Sequence, residues 1–178
     1  METKPCIETE RLLLRPPTID DAVSIFARYG QDPVVSRYMS WKPHRSLSDT
    51  HEFLEKLLTG IEKNTALGYL IFAEQTQQLL GSVGGELTGH RLGFGYCLAR
   101  DAWGKGFATE AANAFVRAAW GIPSLIRVAA MCDVENTASA RVLEKIGLTR
   151  EGILRKYLVL PNLGDSPRDV YMYAAVRD

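Results

Sequence analysis

What this sequence lacks narrows it before any motif is considered. It has no charge imbalance: 21 Lys+Arg stand against 21 Asp+Glu, a formal net charge of zero. A chain without surplus cations does not carry the footprint of a nucleic-acid binder or of a protein held on an anionic membrane. No apolar run approaches the roughly 18 residues of a membrane span. Charges also interrupt the N-terminal "METKPCIETERLLLRPP", where a secretory signal needs its apolar stretch. Only three cysteines are present, Cys6, Cys97 and Cys132, odd in number and far apart. They read as buried thiols in a reducing compartment, not as a disulfide framework. Three histidines, His44, His51 and His90, have no metal-ligand spacing, and no Gly-x-Ser-x-Gly elbow offers a serine nucleophile. The expectation is a cytoplasmic protein without a metal site.

What is present is ordinary in bulk and informative in order. The 178 residues, 46% apolar and 24% charged, suit one domain (1–178) with a sizeable core. A β-rich run, "IETERLLLRP", stops at Pro16-Pro17. "TIDDAVSIFARYG" carries an Asp cap, apolar residues at helical spacing (Ala22, Ile25, Phe26, Tyr29) and a glycine stop at Gly30. "DPVVSRYM" reads as a helical turn capped by Asp32, with Pro33 first in the turn. In "SLSDTHEFLEKLLTGIEK", Ser48 is the expected cap, and Phe53, Leu54, Leu57, Leu58 and Ile61 the buried stripe. Residues 67–74, 79–87 and 92–99 alternate as strands of an antiparallel meander, with internal glycines that signal bulges or close backbone approach. A helix over 104–120 follows, with Phe107, Ala108, Ala111, Ala114, Phe115 and Ala118 inward. Then come a buried strand (125–132), a helix (136–147) closed by Gly147, and two final strands. The class is α/β (α+β): a mixed, mostly antiparallel sheet flanked by helices.

Residues 98–112 place a strand, a glycine-bearing turn and a helix start in succession. Amides in the first turn of a helix lack intrahelical acceptors and sit at the positive end of the helix dipole. Glycine lets an anion approach them without a Cβ in the way. The stretch therefore reads either as an ordinary βα turn or as a phosphate cradle. It is not a P-loop, because Ala99 stands where the first glycine belongs and Gly106 where Ser/Thr belongs. Nor is it a dinucleotide fingerprint, since Thr109 replaces the third glycine. A second polar helix start follows the next strand, with Asn136 and Ser139 three residues apart and on one side of the first turn. Taken alone it is a capped surface helix; beside the first, it makes a shared anionic ligand more plausible. Trp41, in the turn-rich "MSWKPH", is either a core anchor or the wall of a substrate pocket.

The chain resembles the GNAT superfamily of N-acetyltransferases, in the branch of the RimJ/RimL ribosomal-protein N-terminal acetyltransferases. The resemblance runs from "ETERLLLRPPTIDDA" through "DPVVSRYM" to "LGFGYCLARDAWGKGFATEA", "NTASARVLEKIGLTREG" and "RDVYMYA". It implies acetyl-CoA as cosubstrate. Trp103-Gly104-Lys105-Gly106-Phe107-Ala108 would stand as the pyrophosphate loop, with Trp103 departing from the family's Gln/Arg, and Thr109 would follow in the first helical turn. The strand ending Leu98-Ala99 would pair with the pantetheine amides, and Asn136 and Ser139 would flank the pantetheine arm and thioester.

The implied reaction is direct attack of an amine on the thioester, the amine being a protein N-terminal α-amine or, alternatively, a small molecule such as a polyamine, amino acid or aminoglycoside. A non-catalytic acyl-CoA-binding module is the reading from another class. Ser139 is the candidate donor to the departing thiolate, with Tyr157 in reserve. Glu86, on a central strand beside glycines, is the candidate base and borders the acceptor, as does Trp41. Some relatives place a catalytic glutamate after their "EG" pair; counting from Glu151-Gly152, that position is Leu158, so that base does not carry over. The oligomeric state, a homodimer included, stays open.

Overall fold

Residues 5–177 are described in a computed structural model. Two short strands, β1 (Ile7–Glu8) and β2 (Leu12–Arg15), lead into helix α1 (Ala22–Ile25), which continues as a π-helical turn, Phe26–Gly30. A 3₁₀ turn (Ser36–Tyr38) precedes helix α2 (Leu47–Glu62). The meander follows as β3 (Ala66–Ala73), β4 (Leu79–Thr88) and β5 (Arg91–Leu98). Then come α3 (Phe107–Ala119), β6 (Arg127–Asp133), α4 (Thr137–Lys145), β7 (Thr149–Leu158) and β8 (Arg168–Val176).

All eight strands join one sheet, ordered β1-β2-β3-β4-β5-β6-β8-β7. Every pairing is antiparallel except β5 with β6. The last strand lies between β6 and β7, so β7 forms the edge. Two cores cover the two faces. On one, Ala111, Phe115 and Val116 of α3 and Leu143 of α4 pack with Leu14, Ile71, Leu92, Phe94 and Val128. On the other, Ala22, Ile25 and Tyr29 pack with Leu54 of α2 and with Leu70 and Cys97. Among the described residues no helix is long and apolar enough to cross a membrane.

The meander and both later helices lie where the apolar periodicity places them, and the sheet is mixed and mostly antiparallel as expected. The close-approach reading of the strand glycines holds at Gly85, where a Cβ would overlap the carbonyl oxygen of Gly93. Other expectations are corrected. Helix α2 begins at Ser46, not Ser48: the Asp49 carboxylate reaches back to the amides of Arg45 (2.7 Å) and Ser46 (3.2 Å), giving a reciprocal cap two residues earlier. A 3₁₀ turn, Ile19–Asp21, leads into α1; its N-cap is Thr18, whose amide and hydroxyl both donate to Asp21, the residue that stands at the start of α1. Phe53 and Ala118 are exposed, because each lies on the flank of its helix rather than facing the sheet. In α3 the inward positions are Ala111, Ala112, Phe115, Val116 and Ala119. Cys97 and Cys132 are buried, but Cys6 is exposed next to β1.

Candidate active site

The site originates in a parting of two strands. β5 pairs with β6 only from Arg91↔Arg127 to Gly93↔Ala129, whereas β6 stays paired with β8 as far as Asp133. Beyond Gly93 the two parallel strands diverge, which frees main-chain hydrogen-bonding groups of β5 on that side. A cavity of about 530 Å³ opens there, with Tyr96, Cys97 and Leu98 of β5 in its wall.

The next wall is the glycine turn. After the 3₁₀ turn Arg100–Ala102, the Trp103 indole Nε1 donates to the carbonyl of Leu98 at 2.7 Å, tying the turn back to the end of β5. Gly104 and Gly106 have φ of 73° and 82°. This left-handed region is costly for residues with a Cβ, by about 1–2 kcal/mol, which explains glycine at both positions. Gly106 is the N-cap of α3. The first turn leaves amides without intrahelical acceptors, and Phe107, Ala108 and Thr109 line the cavity. Glu110, the acidic residue of this turn, faces elsewhere: its carboxylate accepts from Thr9 Oγ1 (2.7 Å), Arg11 N (3.0 Å) and Arg11 Nε (2.7 Å). Burial alone would raise its pKa, but these hydrogen bonds outweigh it and hold the group below the usual glutamate value. The carboxylate is thus spent on Arg11, and the positive helix end is left to the cavity.

Helix α4 closes the opposite side. The Asn136 Oδ1 caps it by accepting from Ser139 N at 3.2 Å. Behind the cap, Asp133 accepts from Glu135 N (2.9 Å), Arg168 Nε (2.5 Å) and Arg168 Nη2 (3.1 Å). Burial opposes ionisation of Asp133, but the Arg168 guanidinium and the Glu135 amide override it and lower the pKa. The Ser139 hydroxyl meets the Tyr96 hydroxyl at 2.9 Å. Burial pushes the Tyr96 phenol up to about 12, with the Ser139 bond acting the other way. Arg141 and Lys145, one helical turn apart, also line the cavity, as does Arg37 from the 3₁₀ turn on the far wall. Among the described residues no acidic side chain lines it. A tight turn of amides, a helix N-terminus and three cations together can hold an extended polyanion.

Of the residues singled out from the sequence, Leu98, Trp103, Gly104, Gly106, Phe107, Ala108, Thr109, Asn136 and Ser139 converge on this one cavity. Ala99 is buried just beyond Leu98 and outside the lining. Lys105 lines a neighbouring depression of about 290 Å³ together with Arg11, which donates to its carbonyl at 3.0 Å. Trp41 lies outside the lining, half-buried against the second core, its ring 5.4 Å from that of His44. Glu86 is exposed on β4 opposite Gly93, on the sheet face that carries α1 and α2, and is not a lining residue. Tyr157 is 57% exposed on the edge strand and stands apart from the cavity.

The residues not singled out are Tyr96, Arg37, Arg141 and Lys145. Tyr96 could have been found by strand alternation with Leu98, and Arg141 and Lys145 by helical spacing from Ala138. Arg37 has no such signal, because only the tertiary fold brings its turn to the cavity. Among the described residues no cluster of three or more His, Cys, Asp or Glu could hold a metal ion.

Comparison with known proteins bears on what this arrangement does. The family model described as an acetyltransferase (GNAT) domain matches residues 11–149. The uncharacterized N-acetyltransferase p20 of Bacillus licheniformis is 30% identical over 180 residues, covering 99% of this chain and 97% of the relative. A crystal structure of a GNAT-family acetyltransferase from Bacillus anthracis superposes with a TM-score of 0.84 at 29% identity, covering 97% of this chain and 98% of that one. RimL, a ribosomal alpha-N-protein acetyltransferase solved in complex with coenzyme A, has the same fold, with a TM-score of 0.87 at 20% identity and coverage of 97% and 98%. On the family match and the end-to-end relative, the chain with this glycine-cradled cavity belongs to the GNAT acetyltransferase family.

Proposed function

We propose that the protein transfers the acetyl group of acetyl-CoA to a protein N-terminal α-amine. The observation that carries the reading is the cavity's composition: two left-handed glycines and a helix N-terminus on one side, the Ser139 hydroxyl on the other and, among the described residues, three cations and no acid in the lining. That set suits the pyrophosphate and thioester ends of one extended thioester. The turn from Trp103 to Thr109 would hold the pyrophosphate, Arg141 and Lys145 would add charge neutralisation, and the freed main chain of β5 would take the pantetheine amides.

In this reading the amine nitrogen attacks the thioester carbonyl carbon, and the sulfur leaves with the electron pair of the broken C–S bond. Ser139 donates to that sulfur. The amine gives up one proton and the thiol gains one, so the transfer is proton-neutral. The chain's task is then orientation and stabilisation of the charge that develops. An α-amine, with a pKa of about 7.7–8.0, carries a usable neutral fraction at neutral pH, whereas a lysine near 10.4 carries almost none. A distant carboxylate acting through water suffices for such an acceptor, and Glu86 is assigned that role. It shares its sheet face with Gly93 and Gly95, where a Cβ would meet no atom within 4 Å. This open floor suits an approaching main chain. The segment Ser36–Trp41 is assigned to the acceptor side, and work on nascent or ribosomal N-termini would put the enzyme in the cytoplasm.

The test is a thiol-release assay with acetyl-CoA and a mixed panel: peptides with free α-amines, α-blocked peptides containing lysine, polyamines, amino acids and aminoglycosides. Turnover confined to free α-amino peptides is the expected result. Preference for a small amine would overturn the acceptor assignment, and binding of CoA without turnover of any acceptor would overturn catalysis.

A further inference from the structure

Ser139 has one proton to give, and its surroundings decide where that proton points. A serine hydroxyl offers one O–H and two acceptor lone pairs. Its main chain is fixed, because its amide is held by Asn136 Oδ1 at 3.2 Å. Beside Oγ stands one other hydroxyl, that of Tyr96, at 2.9 Å, which reaches across from β5. Burial raises the phenol to about 12, so it keeps its proton at neutral pH. Were Ser139 to donate to Tyr96 instead, the phenol's proton would be left to the Ser139 carbonyl at 3.4 Å, close to the limit of a hydrogen bond. With Tyr96 as the donor, a lone pair of Ser139 is filled from the protein side and its own proton is left for the cavity that Ser139 lines.

We infer that Tyr96 is a positioning residue for catalysis: its hydroxyl donates to Ser139 Oγ and thereby aims the Ser139 proton into the cavity, at the departing thiolate. The inference rests on the reading above, in which Ser139 serves the leaving group. Tyr96 itself transfers no proton. It fixes the direction of a donor that would otherwise rotate, so that no reorientation is needed as the C–S bond breaks. The thiolate then receives a hydrogen bond from a hydroxyl that is itself polarised by a second donor.

Steady-state kinetics of Tyr96→Phe, Ser139→Ala and the double variant test this, with circular dichroism and CoA calorimetry as controls on folding and cofactor binding. Tyr96→Phe keeps the ring and removes the hydroxyl. Its kcat should fall by about tenfold, less than the roughly 10²–10⁴-fold of a group that itself transfers a proton, with both KM values within a few-fold. The double variant should be no slower than Ser139→Ala alone, because a group that acts only through Ser139 has nothing left to act on. With the selenoester analogue of acetyl-CoA, whose selenolate leaves without needing a donor, the Tyr96→Phe deficit should disappear. A slow Ser139→Ala beside a Tyr96→Phe enzyme of wild-type rate would overturn this inference alone. Additive losses, or an equal deficit with the selenoester, would reduce Tyr96 to packing and overturn it too. A Ser139→Ala enzyme at full rate would remove the underlying reading and the inference together.

Discussion

Asn162 holds the main chain of Trp41 from the other end of the sequence: its Nδ2 donates to the Trp41 carbonyl at 2.8 Å and to the Ser36 carbonyl at 2.6 Å. One amide thus clamps both ends of the segment that brings Arg37, Tyr38 and Met39 to the cavity wall. Asn162→Ala removes the clamp, and Asn162→Asp sets a carboxylate against two carbonyl oxygens. For Ala, acceptor KM should rise about fivefold, equivalent to one net hydrogen bond, with the KM of acetyl-CoA unchanged. Asp should be worse than Ala at neutral pH, and the two should converge as the carboxylate is protonated. Trp41→Ala, which strips the packing under the same segment, should likewise raise acceptor KM more than that of acetyl-CoA. Equal effects on both KM values would detach this segment from the acceptor.

The glycine turn separates conformational from electrostatic effects. At Gly106, with φ of 82°, alanine costs about 1–2 kcal/mol of backbone strain, and its Cβ would lie 3.3 Å from the Arg11 guanidinium. Gly106→Ala should fold and bind CoA with weakened affinity. Gly106→Glu adds a negative charge at the helix N-terminus and should abolish binding by calorimetry. If the two variants bind equally, the anion cradle is elsewhere.

Glu86→Gln tests the assigned base. Loss of a general base that works through water should lower kcat by tenfold or more, since such groups contribute about 10²–10⁴-fold, while acetyl-CoA affinity stays within a few-fold. The loss should shrink at high pH, where the α-amine is already neutral. A full kcat between about pH 6 and 9, across the α-amine pKa, would leave solvent as the base.

Asp133 and Arg168 give the fold a defined acid response. The Asp133 side chain is fully buried and Arg168 is 25% exposed, with Glu135 as its second partner at 2.8 Å. Because the folded-state pKa of Asp133 is lowered, the pair's stabilisation is fully present above the unfolded value of about 3.9. It is lost as pH falls through the lower folded value. Urea denaturation from neutral pH down to this range should show the slope, and Asp133→Asn should remove it. At neutral pH that variant should lose about 2–3 kcal/mol, less than the roughly 3–5 of a fully buried broken pair because Arg168 is partly solvated. Since Asp133 also accepts from Glu135 N at the approach to α4, CoA affinity should fall with it.

The periodic parts of this fold were legible in the chain, because apolar spacing is a local property. Alternation marked β3, β4 and β5, and the Ala-rich stripe marked α3. The Asn-x-x-Ser start marked α4 down to its cap, and the glycines of "WGKGFA" marked the turn, since positive φ is a requirement that a sequence can display. Caps were less legible: Ser46 and Ser48 are equally good on paper, and Asp49 chose Ser46 by reaching back to its amide.

What only the tertiary structure decided is everything that depends on which strands become neighbours. The sequence by itself determined seven strand runs, of which the first, 7–16, divides into β1 and β2 only in the fold, together with four principal helices and a turn with glycines at the required places. It did not determine that β8 inserts between β6 and β7, or that β5 and β6 run parallel and part after Gly93. Yet that parting makes the cavity. Nor did it show Tyr96 meeting Ser139 across 43 positions, or Arg37 and Asn162 arriving from opposite ends of the chain to build one wall. These are contacts between distant segments, fixed by burying two faces of one sheet at once. Local propensity carries no information about them, because their free energy is realised only when the whole sheet has assembled.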